Sequence, residues 1–504
     1  MREIIHLSLS AQANHLTTHY YNAQEQYFTY DHTVSPVDHD VNFFAGLGVD
    51  GRTETYSPRA LLWDLRGGYG SLKKISALYE TPEALTPSGA ERVEQPRKAA
   101  SDYVQALDQN AALPALSADK CRYWSDYCHV YFHPSSLLEV SNWDYDPVTA
   151  PKGVARGSGQ DVEAGAAGAT EHRKEFKGYE VGVAEHNNFE KTDNGGESVV
   201  ETHFRRMLER CDHFGGINMA VDVDSAWGAF AAQVLAELRD DYVPKGTVAV
   251  WGLEDERPAD RREYYAHIAT LVELMPQATV YVPLVRPRAA ALRAALPAAA
   301  GLDLSSPWAA GGLFNAVVET MTLPTRLRAD HVSLDHIVAQ VCGNSHRTIA
   351  DSVVLGAGAA PLQLGWANNV DLPGPLRVGR RRPASEPHIF SRYGVVRAAD
   401  AAEDVWLRYG DEAATVSGGG MAGYTSTGVL YPTPPSHPTL FEPATPVCAA
   451  LGSSSLVRTN LLQMRDFVSR FVRSDDRELL KDQLETVAAE YEFGWSDGSD
   501  DDSD

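Results

Sequence analysis

Residues 1–24, MREIIHLSLSAQANHLTTHYYNAQ, have the spacing of a strand that enters a helix through a ligand-cradling turn, yet no glycine lies between Ile5 and the helix. A Walker-type phosphate loop needs glycines that free backbone N–H groups, plus a lysine and a Ser/Thr for charge and magnesium. No such string occurs in the chain. GWSDG at 494–498 matches the serine-hydrolase elbow, but that chemistry requires a serine on a strained strand-to-helix turn. Ser496 instead borders the acidic run SDGSDDDSD, which reads as a solvated terminus. Cys121, Cys128, His129 and His133 form a C-x6-C-H-x3-H string, whereas zinc sites place paired thiolates about two to four residues apart. Core or hydrogen-bonding roles fit that cluster better, and on a strand Cys128 and His129 would face opposite ways. DHD at 38–40 has the donors for a cation, but ordering its loop through side chain to backbone bonds is the favoured reading. GGYG at 67–70 reads as an ordinary turn after a buried strand, in the place where α/β proteins bind ligands.

The elements that must position these residues follow from periodicity. Ile5, Leu7 and Leu9 alternate with His6 and Ser8, the pattern of a strand covered mainly on one face. Leu16, Tyr20, Ala23 and Tyr27 then recur at helical spacing, with Ser10 or Asn14 as the cap. Residues 31–59 read as a long loop leading into the strand RALLWDL. Helical stretches such as SDYVQALDQN and an aromatic block, RYWSDYCHVYFHP, follow. Residues 151–196, dominated by Gly, Ala and charge, read as a flexible insertion or linker. Beyond them come a helix (ESVVETHFRRMLERCD), a strand (INMAVDV), a helix (AFAAQVLAELRDDY) and a strand (TVAVWGL), a succession that predicts a doubly wound α/β layer. YYAHIATLVELMPQATVYVPLV adds another helix and strand, and FNAVVETM a further helix. Past Gly356 the chain is rich in turn clusters, and two helices close it, the second starting near Asp475.

Composition bounds the rest. A chain of 504 residues with 43% hydrophobic and 22% charged side chains has the balance of a folded protein of two or three domains. With 68 acidic against 44 basic residues and a net charge of −24, direct nucleic-acid binding is disfavoured. Five scattered cysteines do not make a disulfide framework, which points to a reducing compartment. The sequence has no window of the ~20 apolar residues a membrane span needs, and its start lacks transit-peptide character. Any work at a membrane is expected from the cytosolic side.

MREI, His6, Asn14 and the pair Tyr20–Tyr21 resemble the opening of tubulins, and PRALLWDL at 58–65 resembles the tubulin string that brings a carboxylate, here Asp64, toward nucleotide-bound magnesium. AAQVLAELRDDYVPKGTVAVWGL is similar to the helix and strand after the tubulin phosphate loop. More specifically, QEQYFTY, PVDHDVNF, YSPRALLWDLRGGYGSL, RYWSDYCHVYFHP and DVDSAWGAF resemble the Misato family, tubulin-like proteins whose fungal members act in mitochondrial inheritance. The resemblance covers about 1–134 and 198–330, and more diffusely SRYGVVR and YPTPPSHPTLF. It implies a tubulin/FtsZ-like fold: an α/β domain with a Rossmann-like core over 1–330, a second α+β domain over 331–457, helices over 458–492 and an acidic tail over 493–504.

The departures bear on function. The tubulin Gly-Gln-Cys-Gly turn falls on Ser10, Ala11, Gln12 and Ala13, and the glycine-rich loop on Val223 to Ala229, where only scattered small residues remain. Each lost glycine adds a Cβ where a pyrophosphate needs close backbone approach. Asp222 or Asp224 brings negative charge toward a triphosphate, and Arg66 stands where tubulins have a second carboxylate. RLRAD at 326–330 weakly resembles the loop that supplies the neighbouring subunit's hydrolytic carboxylate, and Asp330 would be that residue, read here as structural.

The resemblance therefore implies a non-enzymatic protein of mitochondrial partitioning, distribution, morphology and mitochondrial DNA inheritance. It would act through protein partners on or near mitochondria, with self-association or tubulin-like contacts conceivable, at the cytosolic face and in the cytoplasm, without a cofactor or a metal. One alternative is a divergent GTPase binding GTP in a reduced pocket of Ser10, Asp64, Gly67, Gly68, Ser225 and Gly228. The other is a cytoskeletal or tubulin adaptor.

Overall fold

A computed structural model describes residues 2–29, 34–48, 52, 54–72, 98–147, 150–155, 176–192, 199–256, 260–366, 387–400, 402–409, 421–473 and 476–493. The chain opens with β1 (Glu3–Leu9), α1 (Ala11–Glu25), β2 (Phe43–Leu47), β3 (Glu54–Pro58), β4 (Ala60–Arg66), α2 (Asp102–Asp108), β5 (Leu137–Asp146) and β6 (Ala150–Ala155). It continues through α3 (Tyr179–Thr192), α4 (Val199–Glu209), β7 (Phe214–Asp222), α5 (Ala226–Asp241), β8 (Val248–Glu254), α6 (Arg261–Leu274), β9 (Val280–Val285), α7 (Ala289–Ala295) and α8 (Pro307–Thr322). Then follow α9 (Leu334–Val341), β10 (Ser352–Gly356), β11 (Leu362–Gln363), β12 (Ile389–Arg397), α10 (Ala402–Tyr409), β13 (Met421–Thr427), β14 (Val447–Ser454), α11 (Leu456–Phe471) and α12 (Arg477–Glu490).

The first sheet has the order β6-β5-β4-β1-β7-β8-β9, parallel throughout except for the antiparallel edge pair β5–β6. Both faces are covered, so β1 is buried at every position. Its alternation assigns sides: Ile4 joins the core under α1 and α8, while Ile5, Leu7 and Leu9 join the core under α5, α6 and α11. His6 and Ser8, read from the sequence as the less covered side, are buried too. His6 packs against Tyr20 with ring centroids 4.6 Å apart, and Ser8 Oγ donates to Asn14 Oδ1 at 2.7 Å. The second sheet, β11-β10-β14-β12-β13, is antiparallel apart from β12–β13 and shares a core with α8.

Two stretches differ from their sequence reading. Residues 31–59 are not one loop: β2 and β3 pair antiparallel, Phe43 opposite Pro58 through Leu47 opposite Glu54. Such short strands, interrupted by glycine and proline, leave little periodic signal. The stretch read as a linker, 151–196, contains α3, which packs against α5 with Gly182 directly on Ala226 and Ala229. The aromatic block holds a short 3-10 helix, Trp124–Tyr127, rather than a strand.

Candidate functional site

The strand order reverses at β1: β4 lies on one side and β7 on the other. In open parallel sheets this switch point, at the carboxyl ends of the strands, is where ligands bind. A crevice of about 200 Å³ opens there, bordered by the starts of α1, α5 and α8. Small-molecule sites usually enclose ~300–1,000 Å³.

Ser10 joins β1 to α1 at φ 133°, a backbone conformation suited to glycine, and its Oγ accepts from Ala13 N at 3.0 Å. The turn has kept the glycine geometry after losing the glycine. Asp64 lies two residues before the end of β4 and has no exposed surface. Its Oδ2 accepts from Asn14 Nδ2 and Trp124 Nε1, both at 3.0 Å, and its Oδ1 accepts from Leu65 N at 2.8 Å. Burial pushes its carboxyl up to about 7 despite these donors. Internal partners therefore occupy both oxygens of the residue read as a magnesium contact.

Ser225 caps α5, accepting from Trp227 N at 3.3 Å, and lines the crevice with Ser10 and Asp64. Gly67, Gly68 and Gly228 do not line it, which corrects the pocket drawn from the sequence. Gly67 makes the turn after β4 at φ 84°, and its carbonyl accepts from Lys98 Nζ at 3.0 Å. Gly68 lies so close to the Asp64 carboxyl that a Cβ would overlap it. Gly228 packs α5 on α6, where a Cβ would sit 2.7 Å from Thr270 Cγ2 and 2.9 Å from Val223 O. Turn geometry accounts for Gly67, and close packing for Gly68 and Gly228.

At the position of the phosphate loop stands Trp227, 5% exposed and packed against Phe176 and Phe230 at centroid distances of 5.2 and 5.5 Å. Asp224 is held by His267 Nδ1 at 3.0 Å and by the Asp255 N–H at 2.7 Å. Glu254 accepts from Tyr281 Oη at 2.6 Å and Trp366 Nε1 at 2.7 Å, and burial pushes its carboxyl up. Burial opposes charge on His267, but the Glu254 carboxylate and the bond to Asp224 outweigh it and raise the imidazole to about 9. Arg286 reaches in, paired with Asp255 at 2.8 Å and donating to Gln12 Oε1 at 3.2 Å. Asp64, Asp222, Asp224, Glu254 and Asp255 thus share the lining with one guanidinium. Even with burial pushing Asp64 and Glu254 toward their neutral forms, the lining offers a polyanion one guanidinium, and that is already paired with Asp255.

Glu254, His267 and Arg286 were missed in the sequence. Glu254 had a signal, as a carboxylate at the carboxyl end of a buried strand, but His267 sits mid-helix among core residues and had none. Arg66 pairs with Asp144 at 3.6 Å. Asp330, at φ 55°, lies outside the crevice in the lining of a separate cleft. Asp38 caps the short 3-10 helix His39–Val41, the loop-ordering role expected of DHD. His129 bonds Tyr103 Oη at 2.8 Å and His133 caps the 3-10 helix Pro134–Ser136. Among the described residues no group of His, Cys, Asp and Glu is placed to hold a metal. GWSDG and the acidic run lie outside the described residues.

A parallel sheet with its crevice at the β1 switch point, a second mixed sheet and paired carboxyl-terminal helices define a tubulin-like α/β protein. Residues 2–109 match the Misato Segment II tubulin-like domain, and residues 166–327 match the Tubulin domain. The chain is 32% identical over 520 residues to Protein DML1 of Yarrowia lipolytica, with 100% of both chains covered. It is 30% identical over 532 residues to Protein DML1 of Gibberella zeae and 30% over 583 residues to Protein dml-1 of Neurospora crassa, again across 100% of each chain. The chain belongs to the Misato family of tubulin-like proteins, with the fungal DML1 proteins among its relatives.

Proposed function

We propose that the protein is a non-enzymatic tubulin-like factor of mitochondrial partitioning, distribution and morphology, and of mitochondrial DNA inheritance. In this reading it acts at the cytosolic face of mitochondria and in the cytoplasm, through protein partners. Family membership supports the biological role. The observation that carries the non-enzymatic part is Asp64, whose two oxygens accept three internal hydrogen bonds beneath a crevice of about 200 Å³ whose lining holds five acidic residues and one arginine. No helix among the described residues is long and apolar enough to cross a membrane, which fits peripheral attachment.

A divergent GTPase is the competing reading, favoured by the helix starts and Arg286 at the same crevice. Chromatography of nucleotide released from the purified chain, with thermal unfolding with and without GTP and magnesium, separates the two. We expect no bound guanine nucleotide and no GTP-dependent shift; bound GTP with magnesium-dependent turnover would overturn the non-enzymatic reading. Depletion in cells should collapse the mitochondrial network and produce progeny lacking mitochondrial DNA. Normal mitochondria after depletion would refute the role.

A further inference from the structure

A larger cavity, about 540 Å³, shares no residue with the crevice. It lies where the segment before Val37, the turn 327–330 and the second sheet meet. One wall is the end of β13, at Ser426 and Thr427. This strand is the edge of its sheet: it pairs with β12 on one side, and no described strand pairs with the other. An unprotected edge offers a row of backbone donors and acceptors to another extended chain.

Among the described residues that line the cavity, two aspartates stand against one arginine. Asp330 and Asp400 both line it, are exposed and make no ion pair with a described residue. Arg328, the lining cation among the described residues, is engaged by Asp38 at 3.6 Å. Glu403 and Asp404 follow in the first turn of α10, both exposed. Apolar surface lies in the lining and on the neighbouring elements: Val34 is 81% exposed, Leu407 on α10 53%, and Tyr424 on β13, stacked on Trp406, 36%.

We propose that the free edge of β13 and this cavity form a docking site for an extended basic segment of a partner protein. The segment adds as a further strand and sets a lysine or arginine against Asp330 and Asp400. Charge decides between occupants. A second copy of this chain, at a net charge of −24, or its own SDGSDDDSD run would bring carboxylates onto carboxylates. The site gives the partner-binding reading a surface but does not depend on the crevice, so its failure leaves the nucleotide measurement standing.

The test uses the full chain and a phage-displayed library of random linear peptides. Selected peptides should alternate β-branched with Lys or Arg residues. Their fluorescently labelled copies should bind the Asp330→Lys/Asp400→Lys variant at least about tenfold more weakly at ~0.15 M salt, a loss of ~1.4 kcal/mol or more. A charge-matched control, Asp108→Lys/Asp482→Lys, should bind them as the native chain does. Copies N-methylated at alternate backbone nitrogens, which keep their charge but cannot pair as strands, should lose affinity by about tenfold as well. Selection without basic enrichment, equal weakening by both variant pairs, or undiminished binding of the methylated copies would overturn the proposal. So would a self-associated chain that Asp330→Lys/Asp400→Lys dissociates, since the edge would then serve a second copy.

Discussion

At the residue scale, Ser10 shows what replacing a glycine costs. Its φ of 133° is strained for any side chain, while its Oγ supplies the cap of α1. Ser10→Gly relieves strain of ~1–3 kcal/mol and loses only a few tenths of capping, so we expect stability to rise by about 1 kcal/mol in chemical denaturation. Ser10→Ala keeps the strain and loses the cap, and should fall by about 1 kcal/mol. His15 carries a pH signature. It is fully buried, bonded to Tyr127 Oη at 2.8 Å through Nδ1, and burial lowers its imidazole to about 3. The unfolded chain takes up a proton near pH ~6.5 that the folded chain resists, so stability is full above that pH and is lost as pH falls toward 3. Asp64 runs the other way: its raised carboxyl favours the folded state at low pH and withdraws that support as pH rises toward 7. Because the two overlap, the measurement is a difference. His15→Asn should reduce the loss between pH 6 and 5 by ~1.4 kcal/mol per unit relative to the native chain. An unchanged slope would show that His15 is not the resisting group.

At the element scale, α5 shows how a helix start can keep its place in a fold while losing its ligand role. Ser225 caps it, Trp227 packs into the aromatic layer with Phe176 and Phe230, and Gly228 lets it approach α6. Gly228→Ala would place a methyl 2.7 Å from Thr270 Cγ2 in a filled interface, at a cost of ~1–3 kcal/mol by denaturation. A phosphate-cradling glycine would instead show its main effect on nucleotide affinity. The carboxyl-terminal pair makes the opposite case, in which periodicity is enough. Leu461, Met464, Phe467 and Val468 of α11 and Leu484 of α12 recur at helical spacing and are buried in the core that also holds Ile268 and Leu271 of α6. Their helices and apolar stripes were legible, but the face they cover was not.

At the scale of the molecule, one buried ion cluster ties the layers together. Glu319 on α8 pairs with Arg326 at 2.6 Å and with Arg397 on β12, all three side chains without exposed surface. Tyr27, beyond the end of α1, donates to Glu319 Oε1 at 2.8 Å and accepts from Arg397 Nη2 at 2.6 Å. Burial opposes the Glu319 charge, but the Arg397 and Arg326 guanidiniums outweigh it and hold the carboxyl below its ordinary range. Glu319→Gln leaves two guanidiniums without a counter-charge, and we expect a loss of ~3–5 kcal/mol. Calorimetry should show the variant's transition broader or more split than the native chain's as the second sheet uncouples from α8. A loss under ~1 kcal/mol would mean the cluster is not what joins them.

The sequence by itself determined the β-α-β succession of the first sheet and the closing helices, the tubulin-like class and the replacement of glycines at Ser10 to Ala13 and along 223–229. These are properties of local spacing and residue type, and they survive without knowing what packs on what. Tertiary structure alone decided which candidate groups remain available for chemistry. Asp64 is satisfied by Trp124, Asp224 by His267 and Glu254 by Trp366, partners supplied by other elements of the chain. Gly67, Gly68 and Gly228 belonged to the pocket of the alternative GTPase reading until the fold showed the turn and the close contacts they serve. Burial and hydrogen-bond satisfaction depend on contacts that the fold brings together from distant positions, and no local pattern encodes them.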